Sequence, residues 1–223
     1  EDSIERDWYT YAVCDGMGGE KAGNIASDLA TKTYVGEIRQ KMSISRQKKP
    51  DVKAMMVQAC HIANHMIYGY SCFDTDYTGM GTTMVSAVAL GDEVYVLNVG
   101  DSRAYRITKR KLVQITRDHS LVQDMVDRGE ISAEEARTHP RRNVITRALG
   151  VDENVPCDIF KPRLSRGDML LLCSDGLTNM LEDREIFELS KHNPDPLSLG
   201  RALMAEALER GATDNVTVVI ISK

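Results

Sequence analysis

Apolar residues fall at helical spacing twice in the first third of the chain. Ala22, Ile25, Ala26, Leu29, Ala30, Thr33 and Tyr34 share one face of a helix, and Val52, Met55, Ala59, Ile62, Ala63, Met66 and Tyr70 share another. This predicts two amphipathic helices, with the polar and basic stretch from Met42 to Pro50 as the loop between them. The period then shortens. Met84 to Leu90 and Val94 to Val99 are compact apolar runs on either side of Gly91-Asp92, a two-residue hairpin signal. Arg103 to Ile107 and Leu112 to Ile115 repeat the pattern around a basic turn.

From His119 to Pro140 the pattern turns helical again. Ser120 with Gln123, and Ser132 with Glu135, have capping-box spacing, and Gly129 sits where the first of these short helices should stop. Val144 to Leu149, Met169 to Cys173 and Val216 to Ile221 read as further strands, and Leu197 to Arg210 as a last helix. Strands joined mostly by hairpins, with helices in pairs, favour a layered α+β sandwich over a parallel doubly wound sheet.

Composition narrows the class. The 223 residues suit one domain, and 42% hydrophobic with 27% charged residues is the balance of a globular protein. A formal charge of -5 gives no support to nucleic-acid binding through bulk charge. The five cysteines (Cys14, Cys60, Cys72, Cys157 and Cys173) are odd in number and contain no Cys-x-x-Cys pair. That argues against a disulfide framework or a zinc knuckle and for a reducing, cytoplasmic setting. No apolar run approaches the roughly 20 residues of a membrane span, and no signal peptide is visible. The chain opens at Glu1-Asp2 without an initiator methionine, so N-terminal sequence is expected to be missing.

The candidate chemistry is acidic. Asp15 ends the run from Tyr9 to Cys14, and Asp101 follows the run that ends at Val99. Asp175 follows Met169 to Cys173 through Ser174, and Asp214 precedes Val216 to Ile221. Taken singly, each is more readily a turn residue, since Asp-Gly and Asp-Asn are common turn formers. Together they place carboxylates at the ends of four core strands, where a rigid sheet can gather side chains distant in sequence. Clustered carboxylates repel one another unless a cation binds, and an oxygen-only donor set suits magnesium or manganese. Two ions about 4 Å apart, sharing one carboxylate, can acidify a water and clamp a phosphoryl oxygen.

Six strings occur in order along nearly the whole chain: DGMGG at Asp15–Gly19, GTT at Gly81–Thr83, GDSRAYR at Gly100–Arg106, DHS at Asp118–Ser120, SDGL at Ser174–Leu177 and DNVT at Asp214–Thr217. Each is weak alone. In this order they resemble the metal-dependent type 2C serine/threonine protein phosphatases, specifically the short bacterial members.

The resemblance implies a four-layer αββα sandwich: two antiparallel sheets face to face, helices outside, and a flap spanning residues 119–149. It implies a single catalytic domain over residues 1–223, whose first strand and phosphate-gripping arginine would lie upstream of Glu1. Asp15 would bridge two manganese or magnesium ions, the Gly16 carbonyl would bind one of them, and Asp175 and Asp214 would complete the second ion's shell. Asp101 would help bind a third, weaker ion. Asp2 would hold waters of the ions, with Glu1 and Asn215 beside the ligands. The implied activity is hydrolysis of phosphoserine and phosphothreonine in proteins, opposing a serine/threonine kinase in a bacterial cytoplasm. A phosphoprotein-binding pseudophosphatase is the alternative, disfavoured because Asp15, Asp175 and Asp214 are all present.

Two departures bear on mechanism. Met17 stands where many eukaryotic relatives carry histidine, and methionine cannot donate a proton to a leaving group. Asn179 stands where many relatives carry aspartate, which should loosen the third ion.

Rival chemistries are weaker. Cys157 and Arg163 have the Cys-x5-Arg spacing of cysteine-dependent phosphatases, but the intervening residues are bulky, lack glycine and include Pro162. His61 and His65 lack the glutamate of a HExxH zinc site, and the glycine-rich stretch from Gly16 to Gly23 lacks the Lys-Ser/Thr ending of a P-loop. Met55, Met56 and Met66 read as core filling.

Overall fold

The computed structural model describes residues 8–44, 50–73 and 75–223. Strands β1 (Trp8–Val13), β4 (Met84–Leu90), β5 (Glu93–Val99) and β8 (Asp158–Phe160) form one antiparallel sheet in the order β1-β4-β5-β8. Strands β6 (Arg103–Ile107), β7 (Leu112–Gln114), β9 (Met169–Cys173) and β10 (Val218–Ser222) form the second, ordered β10-β9-β6-β7. A two-stranded ribbon joins β2 (Gly16–Met17) to β3 (Gly81–Thr82).

The apolar runs are continuous because their strands are buried on both faces. In β4, Met84, Val88 and Leu90 face the helices, while Val85 and Ala87 face the other sheet. In β9, Met169, Leu171 and Cys173 face the second helical layer, while Leu170 and Leu172 face inward. The pleat alternates the faces. Three apolar clusters result. The first lies under α1 (Glu20–Ile44) and α2 (Val52–Phe73), the second between the sheets, and the third under α5 (Asp175–Thr178), α6 (Asp183–His192) and α7 (Pro196–Glu209). This is the four-layer αββα sandwich implied by the motifs.

The insertion between β7 and β8 carries α3 (Leu121–Asp127) and α4 (Ala133–Thr138). At α4 the box is complete: Ser132 Oγ accepts from the Glu135 N–H at 3.2 Å, and the Ser132 N–H donates to Glu135 Oε2 at 2.7 Å. At α3 only half forms. Ser120 Oγ accepts from the Gln123 N–H, but the Gln123 amide donates forward to Asp127 Oδ1. Gly129, with φ of 70°, ends that helix.

Four expectations need correction. Helix α1 runs to Ile44, so Met42, expected in the loop, is a buried helical residue; residues 45–49 lie outside the described residues. Val144 to Leu149 is not a strand: only isolated bridges form, Ser120 to Ile145 and Thr82 to Leu149. There Thr146 and Arg147 interrupt the apolar run, and Val144 is 44% exposed. The last strand begins at Val218 rather than Val216, because Ser174 holds residues 215 to 217 out of the sheet with hydrogen bonds of its own. Helix α6 was not foreseen. Its first turn is closed by Glu185 reaching back to the Glu182 N–H at 2.8 Å, and glutamate is outside the preferred cap residues.

Candidate active site

Strands β1, β5 and β9 all end at one edge of the sandwich, and β10 starts there. Val13 pairs with Val85 at the start of β4, Val99 pairs with Met84, and Cys173 pairs with both Arg103 and Val218. Asp15, Asp101, Asp175 and Asp214 follow or precede those ends. Their charges act on one another. Burial first, and then the Asp175 charge and a hydrogen bond to that carboxylate, push the Asp15 carboxyl up to about 7, with Asp214 and Asp101 adding to the rise. Burial and the charges of Asp175 and Asp118 push Asp101 up to about 7. Burial and the Asp214 charge also raise Asp175, against the hydrogen bonds it receives from Asp15 and Asn179. The structure therefore brings all four predicted aspartates together. Glu1 and Asp2 lie outside the described residues.

The backbone around each carboxylate is tightly held. The Asp15 N–H donates to Thr83 Oγ1 at 3.0 Å, and the Asp15 carbonyl accepts from the Thr83 N–H and from Thr82 Oγ1, each at 2.9 Å. Thr83 Oγ1 also shares a 2.7 Å hydrogen bond with the fully buried Ser102 hydroxyl. The GTT string thus fixes Asp15, a role that its sequence did not reveal. Gly16 needs to be glycine because α1 passes over it: a Cβ there would stand 1.9 Å from the Gly23 carbonyl oxygen.

On the other sheet, Ser174 Oγ donates to the Asn215 carbonyl at 3.2 Å and accepts from the Thr217 N–H at 3.1 Å. A Cβ on Gly176 would lie 2.3 Å from the Asn215 carbonyl oxygen, so the Asp175 and Asp214 loops depend on that glycine to approach. Asn215 serves through its backbone; its own N–H donates to Asp214 Oδ1 at 2.7 Å. Asn179 donates to Asp175 Oδ2 at 3.0 Å.

His119 also escaped the sequence reading. Its Nδ1 accepts from the Gly100 N–H at 3.0 Å, which leaves the neutral ring's proton on Nε2, 3.0 Å from Asp158 Oδ2. Its backbone bonds to Gly100 on one side and Thr146 on the other, so it fastens the Asp101 turn to the root of the insertion. Arg103, whose charge partly offsets the rise at Asp101, is spent on Asp118, which it grips at 2.7 to 3.0 Å.

Among the described residues, none of the four aspartates forms an ion pair with a lysine, arginine or histidine. The donor set is all oxygen and carries uncompensated negative charge, which fits a hard divalent cation. Among the described residues no three His, Cys, Asp or Glu side chains are gathered tightly enough to enclose one ion. Hydrated magnesium-type ions do not need that, because they keep several waters and take one or two carboxylates.

Comparison with known proteins decides the family. The model described as protein phosphatase 2C matches residues 2–198. The chain belongs to that family. Within it, the serine/threonine phosphatase stp of Listeria monocytogenes serotype 4b is 37% identical over 211 residues, covering 95% of this chain and 83% of its own. The crystal structure of the Mycobacterium tuberculosis serine/threonine phosphatase PstP/Ppp superposes with a TM-score of 0.86 at 34% identity, covering 97% of this chain and 90% of that one. A PstP catalytic domain in complex with two manganese ions gives 0.81 at 32% identity, covering 97% and 91%. As a protein phosphatase 2C, the chain is a hydrolase of the protein phosphatase type. No helix among the described residues is long and apolar enough to cross a membrane.

Proposed function

We propose that residues 1–223 act as one catalytic domain that hydrolyses phosphoserine and phosphothreonine esters in proteins, using two manganese or magnesium ions. The observation that carries this is the meeting of Asp15, Asp101, Asp175 and Asp214 at one sheet edge, with no ion pair to a cation among the described residues. Family membership supplies the substrate class, and the manganese-bound relative supports the metal.

Asp15, the Gly16 carbonyl, Asp175 and Asp214 would hold the two ions, and Asp101 would contribute to a third site. When bound, the ions supply an acidified water for in-line attack and neutralise charge on the phosphoryl group. The residues' part is positional. Thr82 and Thr83 fix the Asp15 backbone, so that its carboxylate is aimed before substrate arrives. Asn179 orients the Asp175 carboxylate through its Oδ2. Ser174 holds the Asp214 loop against the Asp175 loop. Met17 offers no acid, so the leaving serine oxygen takes its proton from solvent or a residue other than Met17. Asp2 and Glu1 would complete the binding of the ions' waters. A serine/threonine kinase acting on the same proteins, in a bacterial cytoplasm, is the natural counterpart.

The test is phosphate release from a phosphothreonine peptide and from p-nitrophenyl phosphate, with manganese and after chelation. Activity is expected only with metal, and Asp15→Asn or Asp175→Asn should lower it by about 100-fold or more with an unchanged circular-dichroism spectrum. Turnover that survives chelation, or either substitution, overturns the assignment.

A further inference from the structure

Cys157, singled out by its spacing to Arg163, takes no part in the site above, yet it has a thiol partner. Cys60, Asn64 and Ile67 lie on one face of α2, and all three are buried. That face packs on the chain that returns from the insertion to β8. Ile67 meets Gly150, where a Cβ would stand 2.2 Å from Ile67 Cγ2. One turn back, Asn64 Oδ1 accepts from the Gly150 N–H at 2.7 Å, and its amide donates to the Asp152 and Glu153 carbonyls at 3.0 and 2.9 Å. One further turn back is Cys60, and Cys157 packs half-buried against the same apolar cluster, its side chain interacting with that of Cys60. Asn64 therefore holds the two segments in the register that sets thiol beside thiol. A side-chain hydrogen bond joins the two thiols, with Cys60 raised well above an ordinary thiol and Cys157 lowered. Of the two, Cys60 is fully buried and Cys157 is the one that solvent reaches, where a thiol can meet an oxidant.

We propose that Cys60 and Cys157 are an oxidisable dithiol, a modification site at which hydrogen peroxide forms an intramolecular disulfide. The Cys157 thiolate attacks one peroxide oxygen. The S–O bond forms, the O–O bond breaks, and hydroxide leaves and is protonated to water. The Cys60 sulfur then attacks the sulfenic sulfur. The S–S bond forms, the S–O bond breaks, and the departing hydroxide takes the Cys60 proton as a second water. Both sulfurs are oxidised and peroxide is reduced: two thiols and one peroxide give one disulfide and two waters. The disulfide would bring the two sulfurs to about 2 Å. The bond would tie α2 to the point where the insertion rejoins the sheet.

The other cysteines are placed differently. Cys14 hydrogen-bonds Thr31 and is pushed up to about 11 by burial, Cys173 is fully buried and pushed up to about 12, and the exposed Cys72 neighbours Tyr68.

The test uses the full chain treated with equimolar hydrogen peroxide, unfolded in a thiol alkylator, digested and mapped by mass spectrometry. The expected product joins the Cys60 and Cys157 peptides with loss of two hydrogen atoms and is released by dithiothreitol. The same product should survive Cys72→Ser, and in Cys157→Ser Cys60 should be recovered alkylated. Recovery of wild-type Cys60 as a free, alkylated thiol beside a Cys157 sulfinate overturns the proposal. So does a cross-link from Cys157 to Cys72 or to a second chain.

Discussion

Replacing Thr83 by valine tests whether the GTT string works by holding Asp15. The substitution keeps the branched shape and deletes one hydroxyl. That hydroxyl accepts the Asp15 N–H at 3.0 Å and shares a 2.7 Å bond with Ser102, and both Thr83 and Ser102 are buried. Two polar groups lose their partner. An unsatisfied buried donor or acceptor costs about 1–3 kcal/mol, so the pair predicts a loss of roughly 2–6 kcal/mol. At about 2–4 °C per kcal/mol for a chain of this size, the melting temperature should drop by roughly 4–24 °C. Activity should fall further than stability explains, because a misplacement of about 1 Å in a reacting group can cost about 100-fold. Thr83→Ser keeps the hydroxyl and should recover most of both losses. The assays are urea denaturation and manganese-dependent phosphopeptide hydrolysis at a temperature where all variants are folded. A valine variant within 0.5 kcal/mol of wild type, a surface-like effect, with full activity would refute the reasoning.

Asp101→Asn should raise the manganese concentration for half-maximal activity by about tenfold, or about 1.4 kcal/mol, while leaving the fold intact; an unchanged titration would count against a role in ion binding. Gly150→Ala should destabilise by about 2–4 kcal/mol in urea, since the residue has φ of 87° and the new Cβ would lie 2.2 Å from Ile67; an unshifted midpoint would contradict that packing. Arg210 and the Glu182 N–H hold Glu185 down at about 2, from an ordinary 4.5. Its folded value lies below its unfolded one, so its contribution is present above about pH 4.5 and is lost as pH falls toward 2. The side chain is 37% exposed, so after screening the effect should be under about 1 kcal/mol, and Glu185→Gln should flatten that part of the stability curve.

What the sequence revealed depended on which physical signal each element left. The β4–β5 hairpin was legible because two apolar runs flank Gly91-Asp92, and the layers because such runs recur in β9. Helix α6 was hidden because only Ile186 and Ser190 are buried and its first turn closes on a glutamate. Val144 to Leu149 misled in the other direction: the composition suits a strand, yet no sheet edge pairs with it beyond single bridges. The aspartates could be named from strand ends, whereas Thr83, Ser102 and His119 could not. Their roles arise from contacts 68, 19 and 19 residues apart, which no local pattern encodes.

The separation of Asp15 from Asp214 has a consequence for synthesis. The first catalytic loop emerges from the ribosome early, but its partner follows α7 and precedes the strand that pairs with β9. On the proposed assignment, a nascent chain would carry an incomplete ligand set and stay inert until that closing strand is in place. Proteolytic removal of β10 would leave Asp214 in the chain but take away the strand that holds its loop against β9, so the proposed site would lose its alignment rather than its ligand.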